Sequence, residues 1–457
     1  MISELIDSSE HKIILLEGAA GTGKTYQTAK GIVDSSINIE SVLLAAPSHT
    51  AKDNLFFNVF QHSGQKYDSC TVSSLLCKLP YIDYVRCRNV FGTAKDSKND
   101  LSMYRLLVVD EVFMIELKDI LGLIDLVNDH PGLTLLMMGD RKQLPPVSGK
   151  SPASFFDKTD YIKKVNLTKV YRQSGDLLKA CEIVKEGVGS LSSLGRIKRK
   201  MKKLESVTVV DLDNYKNLES PSIVDVSRDM FPDDNYTIIS YTNNQVINNN
   251  AEIFGCGGKF LKGQEIILYG ACYDIEGFTD ILDYWGYWKE LGRTGSFAKN
   301  SERLKIVSIS EQLKTTISSQ FFSDLVEFYD MDFYYQNAVV ENSSGARAGT
   351  ILLDYTRPYP VAELVDKCIK ELSKQLKNHV IHKNSYDYKY LNRLNSKMLG
   401  FLSNGSRPSK SITCHKSQGQ TIENVIVDLT RLPNMDLDNY LYTAVTRASK
   451  TLTLVGY

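Results

Sequence analysis

The sequence has no apolar stretch near the roughly 20 residues that a helix needs to cross a bilayer, and residues 1–12 lack the basic-then-apolar form of an export signal. A soluble, cytoplasmic protein without membrane contact is the expectation. Net charge is missing too: 54 Lys and Arg offset 54 Asp and Glu. That excludes a polyanion binder coated uniformly with positive charge and leaves room only for a local nucleic-acid channel. The eight cysteines, at positions 70, 77, 87, 181, 256, 272, 368 and 414, contain no Cys-x-x-Cys pair. Cys70, Cys77 and Cys87 could contribute to a metal site, but with no fourth ligand nearby reduced structural thiols are the better reading. No regular repeat and no long low-complexity tail is present, which sets aside solenoid and tail-driven architectures.

What is present is enough apolar material for several cores. The 457 residues, 42% of them hydrophobic, exceed one ordinary core, so about two to four domains are expected. Apolar runs at 13–16, 42–46, 106–109 and 133–138 are spaced for strands of a parallel sheet, and each ends at a polar motif. Ligands bind beyond the carboxyl ends of such strands, so the motifs should gather at one edge. A second set at 237–240, 411–413, 425–428 and 451–455 predicts another α/β domain. Residues 67–100 interrupt the first domain, with hairpin strands within 84–100 around a Gly92-Thr93 turn. Residues 257–397 look inserted into the second, with strands of a small barrel at 261–268 and 304–309 and either a surface loop or a helix within 301–330.

The strongest chemical signal is Gly18-Ala19-Ala20-Gly21-Thr22-Gly23-Lys24-Thr25, a phosphate-binding loop between an apolar strand and a helix-compatible stretch. Its glycines let backbone amides converge on phosphate oxygens, and the positive end of the following helix adds to the attraction. Lys24 would reach the β and γ phosphates, and Thr25 would offer its hydroxyl to Mg2+. Asp110 and Glu111 follow an apolar strand. Alone they would be a solvated strand end; below a phosphate loop they read as a metal carboxylate and a general base for water. Gln143, in Gly139-Asp140-Arg141-Lys142-Gln143-Leu144-Pro145-Pro146, has donor and acceptor atoms for both γ phosphate and water. Arg172 or Arg447 would stabilise charge on the transferred phosphoryl group. Residues 196–203 hold six basic residues in eight, either a backbone-binding patch for DNA or a solvated connector.

In this order the motifs resemble superfamily 1 helicases, and within superfamily 1B the RecD-like group that includes the phage Dda helicase. The resemblance runs through Gly18 to Thr25, Ala46 to Lys52, Asp110-Glu111, Gly139 to Val147, Leu167 to Ser174, Thr413 to Gly419 and Tyr442 to Ala448. It implies an α/β fold with two RecA-like motor domains, the first at 1–70 and 101–165, the second at 166–256 and 398–457. It further implies a pin-bearing insertion at 71–100 and an accessory, SH3-like-containing insertion at 257–397, entered through residues 259–269. It assigns Lys24, Glu111, Gln143, Arg172 and Arg447 to catalysis, Gly18 to Thr25 and Gly419 to the nucleotide, and Thr25 and Asp110 to magnesium. Pro47, Ser48, His49, Thr71, Val72, Ser73, Thr413 and His415 would touch nucleic acid. Either histidine could instead satisfy its own loop. Phe91 is a wedge at the strand-separating pin or a residue of a small core, and the aromatic-rich 284–288 is packing or a protein-binding patch.

The implied protein is a monomeric ATP- and Mg2+-dependent DNA helicase moving 5'-to-3' on single-stranded DNA and opening tailed or forked duplexes. A phage replication setting follows from the resemblance, with single-strand-binding or replication proteins as partners in a host cytoplasm. An RNA helicase or remodeller and a nucleotide-binding clamp that does not unwind are the rivals. One departure stands out: many such helicases read adenine with a glutamine upstream of the phosphate loop, and residues 1–17 contain none.

Overall fold

The computed structural model describes the chain outside residues 1, 9, 84–87, 94–98, 147–149, 170, 172–174, 188–190, 217–218, 271, 276–295, 300–301, 319–329, 357–370, 372–373, 376–377, 379–404 and 433–435. It divides into two units, one of Met1–Lys78, Ala94–Val246 and Ser411–Tyr457, the other of Leu79–Thr93 and Ile247–Lys410.

The first unit contains two parallel sheets. Strands β1 (Ile13–Gly18), β2 (Val42–Ala46) and β3 (Asp68–Thr71) precede a hairpin of β4 (Lys78–Asp83) and β5 (Arg88–Thr93); β6 (Leu106–Val109), β7 (Thr134–Gly139) and β8 (Lys163–Leu167) follow. Six of them form a sheet in the order β3-β2-β6-β7-β1-β8, every pair parallel. The expected apolar runs are its interior strands. Side chains alternate across the sheet, so Ile13, Leu15, Leu107, Val109, Leu135 and Met137 enter one core and Ile14, Leu16, Leu106, Val108, Leu136 and Met138 another. Both faces are covered, which is why these strands read as unbroken hydrophobic runs. The edge strands β3 (Asp-Ser-Cys-Thr) and β8 (Lys-Lys-Val-Asn-Leu) lack such a run and were not anticipated.

The second sheet takes β9 (Val207–Asp211), β10 (Thr237–Ser240), β17 (Ser411–Thr413), β18 (Ile422–Asp428) and β19 (Ala448–Gly456) in the order β17-β10-β18-β19-β9, again all parallel. Its core joins Ile239, Val425, Val427, Leu452 and Leu454 to the helices Gly175–Lys185, Leu191–Met201 and Leu437–Val445. The basic run belongs largely to Leu191–Met201, whose Leu194, Ile197 and Met201 are buried. It is therefore the polar face of a packed helix, and the connector reading is corrected.

In the second unit β11 (Glu265–Leu268), β12 (Arg303–Ile309), β13 (Leu313–Ser318), β14 (Asp330–Glu341), β15 (Arg347–Leu353) and β16 (Ser406–Pro408) form an antiparallel sheet in the order β13-β14-β12-β11-β16, with β15 also on β14. β12 and β13 follow one another along β14, and between them the Ser310 amide donates to the Asn337 carbonyl at 2.8 Å. Phe260, Ile266, Leu304, Ile306, Val340 and Leu352 fill the core. The described part of 301–330 includes two strands, Arg303–Ile309 and Leu313–Ser318, and residues 319–329, where the expected loop or helix would fall, lie outside the described residues. Leu-Lys-Thr-Thr-Ile-Ser is β-branched and pairs with β14 as β13.

A second correction concerns the hairpin. It runs from Lys78 to Thr93, so Gly92-Thr93 ends β5 and the connection falls at 84–87. The aromatic-rich 284–288 lies outside the described residues.

Candidate active site

β1 is an interior strand of its sheet, and the chain leaves its carboxyl end through the phosphate loop. The Thr22 amide and hydroxyl both donate to the Ala19 carbonyl, at 3.2 and 2.9 Å. A side chain at Gly18 would put a Cβ 2.5 Å from the Thr22 hydroxyl. Gly23, at φ 76°, caps the helix Lys24–Val33 in the left-handed region that only glycine enters freely. The loop's amides and the positive end of a ten-residue helix thus share one mouth. Across it Lys24 arches back, its Nζ donating to the carbonyls of Gly18 at 2.7 Å and Ala19 at 3.1 Å.

The acid pair leaves β6 beside it. The Asp110 amide is fixed on the Ala45 carbonyl at 3.0 Å, and its carboxylate accepts the Glu111 amide at 2.8 Å. Glu111 sits at φ 52°, ψ 43°, a strained left-handed conformation for a residue with a Cβ. From the end of β7, Asp140 accepts the Lys142 amide at 3.1 Å, and the buried Gln143 keeps an Oε1 with no hydrogen-bond partner. A buried acceptor without a partner is costly. A donor arriving in the cavity would relieve it.

Lys24, Thr25, Asp110, Glu111, Gln143, Gly419 and Arg447 all line one cavity of about 280 Å3. Ala20, Gly21 and Gly23 border it, whereas Gly18, Ala19 and Thr22 shape the loop behind. Arg447 is 1% exposed, and its guanidinium has the carbonyls of Thr443 (3.0 Å) and Gln420 (3.4 Å) and the Thr446 hydroxyl (3.0 Å) as acceptors. These partners are uncharged. A buried cation facing a cavity in this way favours an anion.

The helix Leu437–Val445, which precedes Arg447, grips the segment that carries Gln143. Thr443 Oγ1 accepts the Leu144 amide at 2.9 Å, and Asn439 Nδ2 donates to the carbonyls of Lys142 (3.0 Å) and Gln143 (2.8 Å). Asn54 Nδ2 donates to the Gly419 carbonyl at 3.2 Å and Gln418 Nε2 to that of Leu144 at 3.4 Å. Sequence reasoning missed Tyr26, Asn54, Asn58, His62 and Tyr171, which also line the cavity. Tyr26 and His62 meet edge to face at 4.7 Å. The available signals were the positions of Tyr26 directly after Thr25 and of Tyr171 directly before Arg172.

Among the described residues no group of three or more His, Cys, Asp or Glu could hold a metal. Magnesium characteristically takes one or two protein oxygens with phosphate oxygens and water. The Thr25 hydroxyl and Asp110 carboxylate on the cavity wall fit such a partial set. Burial pushes the thiols of Cys70 and Cys272 up to about 11 and those of Cys181 and Cys414 up to about 12, so they stay protonated.

The nucleic-acid candidates fall at carboxyl ends of β2, β3 and β17. There the hydroxyls already have work as helix caps: Ser48 accepts from the Ala51 amide at 3.2 Å, Thr71 from Ser74 at 3.2 Å and Thr413 from Lys416 at 3.3 Å. Pro47, His49 and Ser73 are half-buried beside them. The Val72 side chain is buried in the core under the sheet, which leaves its backbone for the expected contact. His415 hydrogen-bonds the Pro145 carbonyl, and burial holds its pKa below the ordinary 6.5. Arg172 and the side chain of Phe91 lie outside the described residues.

With this geometry in hand, comparison with known proteins gives two family matches, an AAA domain over residues 2–202 and a UvrD-like helicase C-terminal domain over residues 408–455. The chain thus has an α/β fold with two helicase-like domains, AAA-type at its N-terminal end and UvrD-like at its C-terminal end. It is 33% identical over 168 residues to the ATP-dependent RecD2 DNA helicase of Deinococcus radiodurans, covering 36% of this chain and 20% of that one. An uncharacterised protein of Acanthamoeba polyphaga mimivirus is 32% identical over 198 residues, covering 40% and 39%. This chain therefore spans well under half the length of either relative. Among solved structures it is similar to the Pif1 helicase from Bacteroides in complex with ADP-AlF3 and ssDNA, with 17% identity and a TM-score of 0.47 over 99% of this chain and 90% of that one.

Proposed function

We propose that this chain is an ATP-driven helicase that moves 5'-to-3' along single-stranded DNA and separates tailed or forked duplexes. The observation that carries the reading is the shared cavity of Lys24, Thr25, Asp110, Glu111, Gln143 and Arg447, drawn from opposite ends of the chain and from elements of two parallel sheets. RecD2 is named an ATP-dependent DNA helicase, and that activity is extended to this chain as part of the proposal.

Lys24 and the loop amides would hold the β and γ phosphates. Thr25 and Asp110 would hold Mg2+, which supplies charge compensation at the phosphates when bound. Glu111 would take the proton of the attacking water, Gln143 would orient that water, and Arg447, with Arg172, would stabilise charge on the transferred phosphoryl group. The nucleobase would meet the ring of Tyr26, which touches His62 edge to face, and the amide of Asn58, both on the cavity lining. Pro47 to His49, Thr71 to Ser73 and Thr413 to His415 would hold the DNA backbone through amides, hydroxyls and imidazoles, without a base-reading pattern.

In this scheme the motor domains are 1–70 with 101–165 and 166–256 with 398–457. Residues 71–100 carry the pin with Phe91 as its wedge, and 257–397 form the SH3-like accessory part. The test is ATP-dependent unwinding of otherwise identical 5'-tailed, 3'-tailed and blunt duplexes, in DNA and in RNA. Opening of the 5'-tailed DNA alone is expected. Preference for a 3' tail would overturn the direction, preference for RNA the substrate, and ATP hydrolysis without unwinding of any tailed duplex the motor itself.

A further inference from the structure

We propose that the Tyr442 hydroxyl is a latch that joins the phosphate loop to the segment from Asp140 to Leu144, and that Tyr442 is thereby a positioning residue for Gln143 and Arg447. The inference rests on the nucleotide-hydrolysis reading above and assigns that site a coupling element.

Tyr442 lies 422 residues from Ala20, yet the Ala20 amide donates to its hydroxyl at 3.1 Å, and the hydroxyl donates to Asp140 Oδ2 at 2.9 Å. Both side chains are buried, Tyr442 being 3% and Asp140 4% exposed. The directions of these bonds are fixed. A backbone amide is only a donor, so the hydroxyl must accept from Ala20 and has its one proton for Asp140. Burial, followed by the charge of Asp140, drives the phenol pKa well above its ordinary 10.0, which keeps that proton in place.

Each end of this short chain of bonds belongs to a different part of the site. Ala20 is within the phosphate loop, and its own amide is the donor. Asp140 begins the turn that also ties the Lys142 amide and, through its own carbonyl, the Gln143 amide at 3.1 Å. Tyr442 stands on the helix Leu437–Val445, next to Thr443, which holds the Leu144 amide. A shift of the loop therefore acts on the Gln143 turn and on the helix leading to Arg447 through one hydroxyl group. Without it, the loop amide and the carboxylate would each lose a buried partner while Lys24 kept the Gly18 and Ala19 carbonyls and Thr22 kept that of Ala19.

Tyr442→Phe removes the hydroxyl and keeps the ring. The measurements are kcat and KM for ATP at saturating oligothymidylate, ADP affinity and the melting temperature. A fall of about tenfold in kcat is expected from the loss of these two buried hydrogen bonds, with KM and ADP affinity within about threefold. Asp140→Asn, which leaves Tyr442 in place, should show the same kcat-only signature and serves if the first variant does not fold. Unchanged kcat in both, or a kcat that falls only in step with ADP affinity and folded fraction, would overturn the latch. An unmodified protein that neither binds nor hydrolyses ATP would defeat the functional reading itself, before any variant is compared.

Discussion

The cavity has two walls built on different principles. One is the phosphate loop with Asp110 and Glu111, where backbone amides, a glycine cap and a strained Glu111 do the arranging within a few residues of each strand end. The other is the helix Leu437–Val445 with Arg447, where buried side chains reach across to Ala20, Asp140 and Leu144. The first wall has the chemistry of holding a triphosphate. The second contributes a buried cation and the partners that fix Gln143. The comparison teaches that the groups suited to grip phosphate are set locally, whereas those that complete the charge arrangement arrive through tertiary contact.

The sharpest way to break this comparison is to damage each wall in turn. Lys24→Ala should reduce ATP hydrolysis by about 10^3-fold and weaken ATP binding with it, whereas Glu111→Gln should reduce turnover by about 10^3-fold with binding retained. Steady-state ATPase with equilibrium nucleotide titration reads both. On the opposite wall, Arg447→Lys keeps a cation but loses the planar fork, so kcat should fall about 10^2-fold with ADP affinity nearly unchanged. If it lost nucleotide affinity as severely as Lys24→Ala, the two walls would not divide the work.

A smaller effect sharpens the nucleobase side. Tyr26→Ala should weaken ATP binding by about tenfold and leave inorganic tripolyphosphate binding unchanged; equal losses for both ligands would remove the ring from base recognition. The smallest effect concerns pH. Burial keeps His415 below its ordinary 6.5 in the folded chain, so between the two values the unfolded chain binds the extra proton. Its contribution to stability is present above 6.5 and is lost as the pH falls through the depressed value. The melting temperature should drop on acidification across this window, and less steeply in His415→Gln. An identical slope in both proteins would remove His415 as the source.

Much of the first parallel sheet was legible because β1, β2, β6 and β7 are buried on both faces and show it as continuous apolar runs. The edge strands β3 and β8 were not, since a half-exposed edge needs no such pattern. β13 was missed for a related reason: its Lys-Thr-Thr-Ile signal is weak until β14 is beside it. The hairpin was expected at its glycine, but that glycine lies within β5 and the connection falls earlier. Among the candidate residues, Ser48, Thr71 and Thr413 carried hydroxyls that sequence alone could assign to a ligand, and the fold gives each a helix amide to cap.

By itself the sequence determined the phosphate loop, the acid pair at the end of β6 and the alternation of apolar runs with polar motifs, because each depends on sterics and hydrogen bonds within a few residues. Only the tertiary structure decided that Arg447 is buried on the same cavity, that Gln143 is clamped from the far helix, and that Tyr442 joins Ala20 to Asp140. Those contacts depend on a strand order that departs from chain order, and so on the packing of whole sheets and helices.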